Sequence, residues 1–188
     1  MKKILIIATS WLCFSALVTL VIFSWPWLLL YVGLNSQPNP PQPSITYSEF
    51  PFKLVYEING KKKIVQDTVV CEYDGVGMDE GQGKFRKWKQ RLTSGNVSGD
   101  FVILEKLNNE VENIAFYPGS ADYYMNDSKR YNENNSSFPN AWLVKNEKGN
   151  VSGEDYLEED QLYEKYHIKL ISWEPSPPIK NTFIENKK

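Results

Sequence analysis

The feature that most constrains this chain is a long uncharged stretch at its N-terminus. After Met1, Lys2 and Lys3, residues 4–34 contain no charged side chain. This mostly apolar run of 31 residues exceeds the roughly 20 apolar residues that a helix needs to cross a bilayer. We therefore expect residues 1–34 to contain a membrane-spanning helix that anchors the protein.

Two geometries are open for the end of this helix. At about 1.5 Å of rise per residue, residues 4–24 alone would span about 31 Å, so the helix can end near Pro26. Trp25, Trp27 and Tyr31 would then lie at the outer interface, where amphipathic rings are enriched. In the other geometry the helix continues to Leu34 and accommodates its excess length by a tilt or by a kink at Pro26.

The charges that flank the stretch predict its orientation. Lys2 and Lys3 precede it, and no charged residue follows it until Glu49. Because basic residues favour the cytoplasmic side, we expect a cytoplasmic N-terminus and an extracellular C-terminal part. The prediction is thus a single-pass protein of the cell membrane, with membrane lipid as the partner of its helix.

A cleaved signal peptide is the alternative, since it also begins with basic residues and an apolar stretch. The apolar core of a signal peptide is about 7 to 15 residues long and is followed by a small-x-small cleavage site. Here the run is longer, and Gly33-Leu34-Asn35 fits that site poorly. The sequence therefore favours an uncleaved signal-anchor.

The chain beyond the anchor is expected to hold a spacer, one domain and a short tail. Residues 35–44 read NSQPNPPQPS, and four prolines without charge predict an extended, semi-rigid spacer. Residues 45–180 have the commonest size of a single domain, and residues 181–188 form a polar tail. Residues 45–188 carry 19 basic and 23 acidic side chains, and the resulting negative charge argues against nucleic acid as a partner.

Strands are predicted first around a hairpin. Apolar residues alternate with polar ones from Phe52 to Ile58, and Asn59-Gly60 follows at once, which is a strong hairpin signal. The return strand is expected over about residues 63–73, with Cys71 pointing inward. The basic stretch from Lys84 to Arg91 fits helical and strand spacing alike, and we favour a strand because turn residues follow it.

The remaining elements complete an α+β prediction with a mostly antiparallel sheet. We expect an exposed glycine-rich loop over residues 75–83, a hairpin of residues 101–107 and 111–117, a surface loop with one helical turn over 121–139 and strands at 141–145 and 167–173. Ser152 to Asp155 match a capping box, which predicts a C-terminal helix over residues 153–165. Its core face would consist of Tyr156, Leu162, Tyr163 and Tyr166.

Motifs that carry chemistry are sparse, and we predict no catalytic, cofactor-binding or metal-ligating residue. Cys71 and the single histidine, His167, formally allow a thiol nucleophile and its base, but a packed thiol and a helix-ending imidazole explain both. Asp74, Asp79 and Glu80 lie on the glycine-rich stretch, but the ligand order of a calcium loop is missing. We therefore expect this stretch to form a solvated turn.

The stretch from Lys84 to Arg91 carries five cations around Phe85 and Trp88. It can contact anionic lipid or a wall polymer. Alternatively, it is a charged strand face that complements the acidic residues of the predicted helix at 154–164.

Five segments of the exported part resemble membrane-anchored surface proteins of low-GC Gram-positive bacteria. They are residues 48–62, 67–75, 83–89, 117–125 and 168–181, which read SEFPFKLVYEINGKK, DTVVCEYDG, GKFRKWK, YPGSADYYM and IKLISWEPSPPIKN. The resemblance covers nearly all of the exported part. It implies a cell-surface location and a Gram-positive source, and it carries over no activity and no site residues.

Three functions are compatible with this sequence. The first is a non-enzymatic surface domain that binds a protein or a cell-wall component. The second is an accessory subunit of an integral membrane complex, which would act through a helix face of small residues at Thr9, Ser10, Ser15 and Ala16. The third is a hydrolase, which requires a deep pocket lined by carboxylates or by Cys71.

Overall fold

The N-terminal stretch forms one continuous helix in the computed structural model, which describes residues 2–94, 100–107, 111–127, 136–147 and 150–184. Helix α1 spans Lys2–Ser36 and passes through Pro26, so the longer of the two geometries is the observed one. Its segment Phe14–Ser36 is long and apolar enough to cross a membrane, and none of it is buried. The helix thus has the length, composition and N-terminal position of a membrane anchor or of a signal sequence.

The described residues beyond α1 form two four-stranded sheets, a two-stranded ladder and two short helices. The first sheet has the order β4 (Gly83–Leu92), β3 (Lys61–Asp79), β2 (Tyr47–Ile58) and β9 (Ile168–Pro175). The second has the order β5 (Val102–Leu107), β6 (Glu112–Phe116), β7 (Ala141–Glu147) and β8 (Asn150–Leu157). Helices α2 (Ala121–Tyr124) and α3 (Glu159–Tyr166) follow β6 and β8. The predicted α+β class is confirmed.

Strand β2 organises the first sheet. It pairs antiparallel with β3 on one side and with β9 on the other. Asn59 and Gly60 connect it to β3 with φ angles of 50° and 74°, the left-handed conformations that a tight hairpin turn requires. The predicted hairpin is therefore confirmed. Cys71 on β3 is fully buried, which agrees with the prediction that its side chain points inward.

The core is formed by the facing sides of the two sheets. Every second side chain of β2 from position 50 to position 58 is buried, and all five belong to one apolar cluster. Side chains of the second sheet complete that cluster: Val102, Leu104, Ile114 and Phe116. Trp173 on β9 lies between them, with its ring 5.1 Å from Phe52 and 4.7 Å from Phe116.

The glycine-rich stretch is not an exposed loop, and that prediction was wrong. Strand β3 continues to Asp79 and β4 begins at Gly83, so the turn occupies only three residues. Glycine adds no bulk to a strand, and a Cβ at Gly77 would lie 2.5 Å from Phe85 Cζ. The ring of Phe85 therefore covers the bare backbone of Gly77, an arrangement that compensates for glycine in a sheet.

The predicted C-terminal helix begins too early. Residues 153–157 belong to β8, whose Tyr156 and Asp155 pair with Trp142 and Leu143 of β7. Backbone hydrogen bonds to β7 thus override the local capping pattern, and α3 begins only at Glu159. Of the predicted core face, Leu162 is fully buried, whereas Tyr156 and Tyr163 are exposed.

The stretch predicted as a surface loop over residues 121–139 contains part of the core. Tyr124 of α2 and the following Met125 are fully buried, and the Tyr124 hydroxyl donates to the Pro118 carbonyl at 2.7 Å. Residues 128–135 of this stretch lie outside the described residues, as do the turn at 108–110 and the tail residues 185–188. The strand predicted at 141–145 is confirmed as β7.

The two ends of the chain beyond α1 are paired with each other. Strand β1 (Gln42–Pro43), within the proline-rich spacer, pairs with β10 (Phe183–Ile184), within the predicted tail. Asn181 is buried, and its side chain accepts from the Ile45 N–H at 3.0 Å and donates to the Ile45 carbonyl at 3.0 Å.

The chain forms two compact units, Met1–Pro40 with Val76–Arg86, and Pro41–Gly75 with Lys87–Lys188.

One buried hydrogen bond joins the two sheets. The register of β5 with β6 shifts between Ile103 and Glu105, so Leu104 is the extra residue of a β-bulge. The Tyr56 hydroxyl of β2 donates to the Leu104 carbonyl at 3.0 Å. The tyrosine thus supplies a donor to a carbonyl at an irregular point of the opposite sheet.

Tyr56→Phe should lower the free energy of unfolding by about 1 to 3 kcal/mol, because it leaves a buried carbonyl without its donor. Chemical denaturation of the full chain in detergent measures this. Tyr163→Phe is the matched control, since Tyr163 is exposed, and it should change stability by less than about 0.5 kcal/mol. Equal effects of the two substitutions would contradict the role of the Tyr56 hydroxyl.

Candidate functional site

The structure does not bring Cys71 and His167 together as a catalytic pair. Cys71 lies in the core, where burial raises the pKa of its thiol to about 12, so it is protonated at neutral pH. His167 is exposed and ends α3 in a left-handed conformation with a φ of 51°, as predicted for a helix-ending residue. A nucleophilic thiol requires the opposite environment, with access and a lowered pKa.

The carboxylates at the glycine-rich stretch that was predicted to be a loop have structural roles. Asp74 Oδ2 accepts from Lys87 Nζ at 2.6 Å, and this hydrogen bond lowers the pKa of the Asp74 carboxyl. Asp79 Oδ1 accepts from the Gly81 N–H at 2.8 Å and orders the turn. Among the residues that the structure describes, no group of three or more histidine, cysteine or carboxylate side chains could hold a metal.

The basic stretch is a strand, as predicted, and its two faces differ. Phe85, Lys87, Lys89 and Arg91 are exposed, and they alternate with less exposed residues. On the other face, Trp88 Nε1 donates to Asp127 Oδ2 at 2.7 Å. Lys87 forms its ion pair with Asp74 of the neighbouring strand β3, so the complement of this lysine is in the sheet rather than on α3.

An open depression of about 490 Å³ lies on the first sheet. Its lining consists of Pro51, Phe52, Lys53, Gln66, Asp67, Thr68 and Glu174. Lys53 Nζ pairs with Glu174 Oε1 at 3.2 Å. Asp67 accepts from Thr68 N at 2.7 Å and from Ser94 Oγ at 2.6 Å. The two carboxylates are thus engaged in holding strands and a turn, and the depression lacks the depth that the hydrolase hypothesis requires.

Side chains on the outer face of the second sheet form the most distinctive surface. The strand registers pair Ile103 with Ala115, Ala115 with Trp142, and Trp142 with Tyr156. These four residues therefore form one row across β5, β6, β7 and β8. Phe101 flanks the row, with its ring 6.5 Å from that of Trp142. We call this surface the aromatic face: Phe101, Ile103, Ala115, Trp142 and Tyr156.

The aromatic face has a buried floor and a partly exposed edge. Ala115 is fully buried and Phe101 is 8% exposed, whereas Tyr156 is 47% exposed. The rings of Trp142 and Tyr156 meet edge to face at 5.0 Å, a favourable arrangement for two aromatic quadrupoles. Because Ala115 beside Trp142 is small, the outer surface of the row is formed by the large rings.

Asn140 fixes the exposed end of the row. Its Nδ2 donates to the Tyr156 hydroxyl at 2.7 Å, and its Oδ1 accepts from the Glu159 N–H at 2.9 Å. Glu158, at the N-cap of α3, makes no side-chain capping bond, so Asn140 satisfies one of the free amides at the helix N-terminus. One side chain therefore orients Tyr156 and starts α3.

The indole nitrogen of Trp142 is unusual. It is buried, and no hydrogen-bond partner for it lies within the described part of the chain. Buried polar atoms normally have a partner. This orphan donor lies on the same face as the exposed Tyr156 ring.

Sequence reasoning missed this surface. It assigned Tyr156 to the core face of a helix and treated residues 141–145 as an isolated short strand. The short apolar run Ala141, Trp142, Leu143 and Val144 indicates a strand. It would not reveal that Tyr156 lies opposite Trp142, because that register joins two separate segments.

The raised pKa of Cys71 predicts a loss of stability in alkali. An unfolded thiol loses its proton near its ordinary pKa of 9.0, whereas the folded one keeps it to about 12, so stability falls with rising pH between these values. From pH 8 to pH 10.5 the thiol should account for a fall of about 2 kcal/mol in the free energy of unfolding. The fall should be smaller by that amount in Cys71→Ala, with denaturation measured at both pH values. Parallel curves for the two proteins would contradict the assignment.

The double role of Asn140 predicts unequal effects of two substitutions. Asn140→Ala removes the helix cap and the bond to Tyr156, and it should cost about 1 to 2 kcal/mol of stability. Tyr156→Phe removes only the hydroxyl bond and should cost about 0.5 to 1 kcal/mol. Thermal denaturation of the full chain in detergent compares them. A larger effect of Tyr156→Phe would show that the cap contributes little.

Comparisons with known proteins give no further guide to this surface. No protein-family model matches the chain. No curated protein matches it, and no solved structure matches it. The function is therefore inferred from the chain's own residues and geometry.

Proposed function

We propose that this protein is a single-pass membrane protein whose extracellular part is a non-enzymatic binding module. The helix α1 anchors it with the N-terminus in the cytoplasm, and the aromatic face contacts a partner at the cell surface. The observation that carries the binding role is the row of Trp142 and Tyr156, which presents adjoining rings on the side of the second sheet that faces away from the core.

The anchoring role is supported by the helix and its flanking charges. The large apolar side chains of α1 between Phe14 and Tyr31 are exposed, and a helix that is apolar all round is suited to lipid. Lys2 and Lys3 are the only charged residues before Glu49, which favours a cytoplasmic N-terminus. The Gram-positive cell surface implied by the resemblance agrees with this arrangement.

The binding role is supported by the residue types and the shape of the aromatic face. Tyrosine and tryptophan are enriched among the residues that dominate binding energy at interfaces. The face is a row across a sheet that runs from a buried floor to the exposed ring of Tyr156, whereas small-molecule sites are concave and enclose most of the ligand. It suits a partner with a broad surface of its own, such as a surface protein or a wall polymer.

The accessory-subunit hypothesis is the second candidate, because α1 offers an exposed helix surface for a membrane partner. Ser15 and Ala16 of the proposed small-residue face are exposed, and the Ser15 carbonyl accepts from Thr19 Oγ1 at 2.8 Å. The side chains of Thr9 and Ser10 lie outside the described ones. Small residues on one face permit close helix packing in membranes.

Tyr156→Ala should abolish most of the partner binding, because it removes the exposed ring of the row. We would cross-link whole cells that express the tagged full chain and quantify co-purified protein and wall sugar. Tyr163→Ala is the matched control, an exposed tyrosine on α3, and it should bind as the wild type does. We expect at least a tenfold loss for Tyr156→Ala, which corresponds to a hot-spot contribution of about 1.4 kcal/mol or more.

A chimera separates the two candidate functions. It carries an unrelated apolar helix in place of residues 4–34 and keeps the rest of the chain. Because every residue from Pro41 onward is present, β1 still pairs with β10. Binding that survives in the chimera and is lost in Tyr156→Ala supports the binding module. Binding that is lost in the chimera and retained in Tyr156→Ala would instead assign the interaction to α1.

A further inference from the structure

The outer half of the β3–β4 hairpin packs with the end of the N-terminal helix. Residues Val76–Arg86 form one compact unit with the chain up to Pro40. The contact is made by Lys84, whose Nζ donates to the carbonyls of Asn35 at 2.9 Å and Gln37 at 2.8 Å, and to Asn39 Oδ1 at 3.0 Å. An ammonium group has three donors, and these three acceptors use all of them.

Lys84 supplies what the end of α1 lacks. The last carbonyls of a helix have no partner within it, and they form a negative pole that favours a cation. Helix α1 has no basic residue in its last turn. Lys84, on strand β4, thus provides a cation that caps the C-terminal end of α1. This contact holds the hairpin tip at the point where α1 ends.

The hairpin tip carries exposed apolar side chains beside this contact. Val76 is 40% exposed and Met78 41%, and because they are two residues apart on β3 they share one face of that strand. Phe85 lies on the opposite face, over Gly77. The pair Val76 and Met78 thus gives the tip an exposed apolar surface of its own. The continuity of the tip with α1 indicates what covers this surface.

The aromatic residues of α1 define the level of the membrane surface. Trp25, Trp27 and Tyr31 are exposed on the last turns of the helix, and such rings prefer the interface between headgroups and acyl chains. Ser36 lies five residues beyond Tyr31, or about 7.5 Å along the helix axis. Groups bound to Asn35 and Gln37 therefore lie within reach of the headgroup layer.

We propose that the hairpin tip Val76–Arg86 is a second membrane contact, in which Val76 and Met78 enter the outer headgroup region of the bilayer while Lys84 caps α1. This inference rests on the proposed anchoring by α1. It adds a lipid-binding surface beside the end of α1.

Depth-dependent fluorescence quenching tests the contact. The full chain with Cys13→Ala and Met78→Cys is labelled with bimane and placed in phosphatidylcholine/phosphatidylglycerol nanodiscs, with or without lipid that carries a nitroxide at acyl carbon 5. Cys71 is fully buried and does not compete for label. Leu20→Cys in the same background reports on α1, with the nitroxide at carbon 12. Lys84→Met keeps an apolar stem and removes the ammonium.

We expect the shallow nitroxide to lower the emission of the Met78→Cys label by about twofold or more, and Lys84→Met to reverse most of that loss. A quenched Leu20→Cys label with an unquenched Met78→Cys label would overturn the inference and leave the anchor intact. If neither label is quenched, the anchoring proposal itself fails. If Lys84→Met leaves the quenching of the Met78→Cys label unchanged, the role assigned to Lys84 is wrong.

Discussion

The packing of β2 against the second sheet is the constraint on which the rest of the fold beyond α1 depends. Its neighbours β3 and β9 satisfy its backbone from both sides, while its alternate side chains from Phe50 to Ile58 fill the space between the sheets. Tyr56 adds a polar bond across that space to the bulge at Leu104. Apolar burial thus holds the sheets together, and the hydroxyl favours one alignment because only that alignment satisfies the bulged carbonyl.

The sequence predicted those elements whose signals are local. The strand before Asn59-Gly60, the strand nature of the basic stretch and the strand at β7 all follow from alternation and turn residues within a few positions. The helix predicted over residues 153–165 begins too early because residues 153–157 pair with β7, the strand directly before β8, and a capping pattern does not reveal that pairing. Tyr124 and Met125 were also misplaced, since a four-residue helix leaves no periodicity by which its buried face can be recognised.

The aromatic face was beyond prediction for a related reason. Its row is created by three registers, Ile103 with Ala115, Ala115 with Trp142, and Trp142 with Tyr156, and a shift of one residue in any of them would turn side chains to the other face. Each residue alone is unremarkable in a chain that is 14% aromatic. Their combination becomes visible only when four strands from separate segments are aligned. Surfaces made in this way carry no motif.

The cations of the basic stretch have different tasks from the one their clustering suggests. Lys84 Nζ donates three hydrogen bonds at the end of α1, and Lys87 forms an ion pair with Asp74. These two charges therefore stabilise the protein's own structure instead of being held ready for anionic lipid. In the proposed membrane contact, apolar side chains of the hairpin tip supply the attraction, and apolar burial is much less sensitive to salt than the attraction of a polybasic segment. In this proposal the hairpin tip is held beside the end of α1 by Lys84.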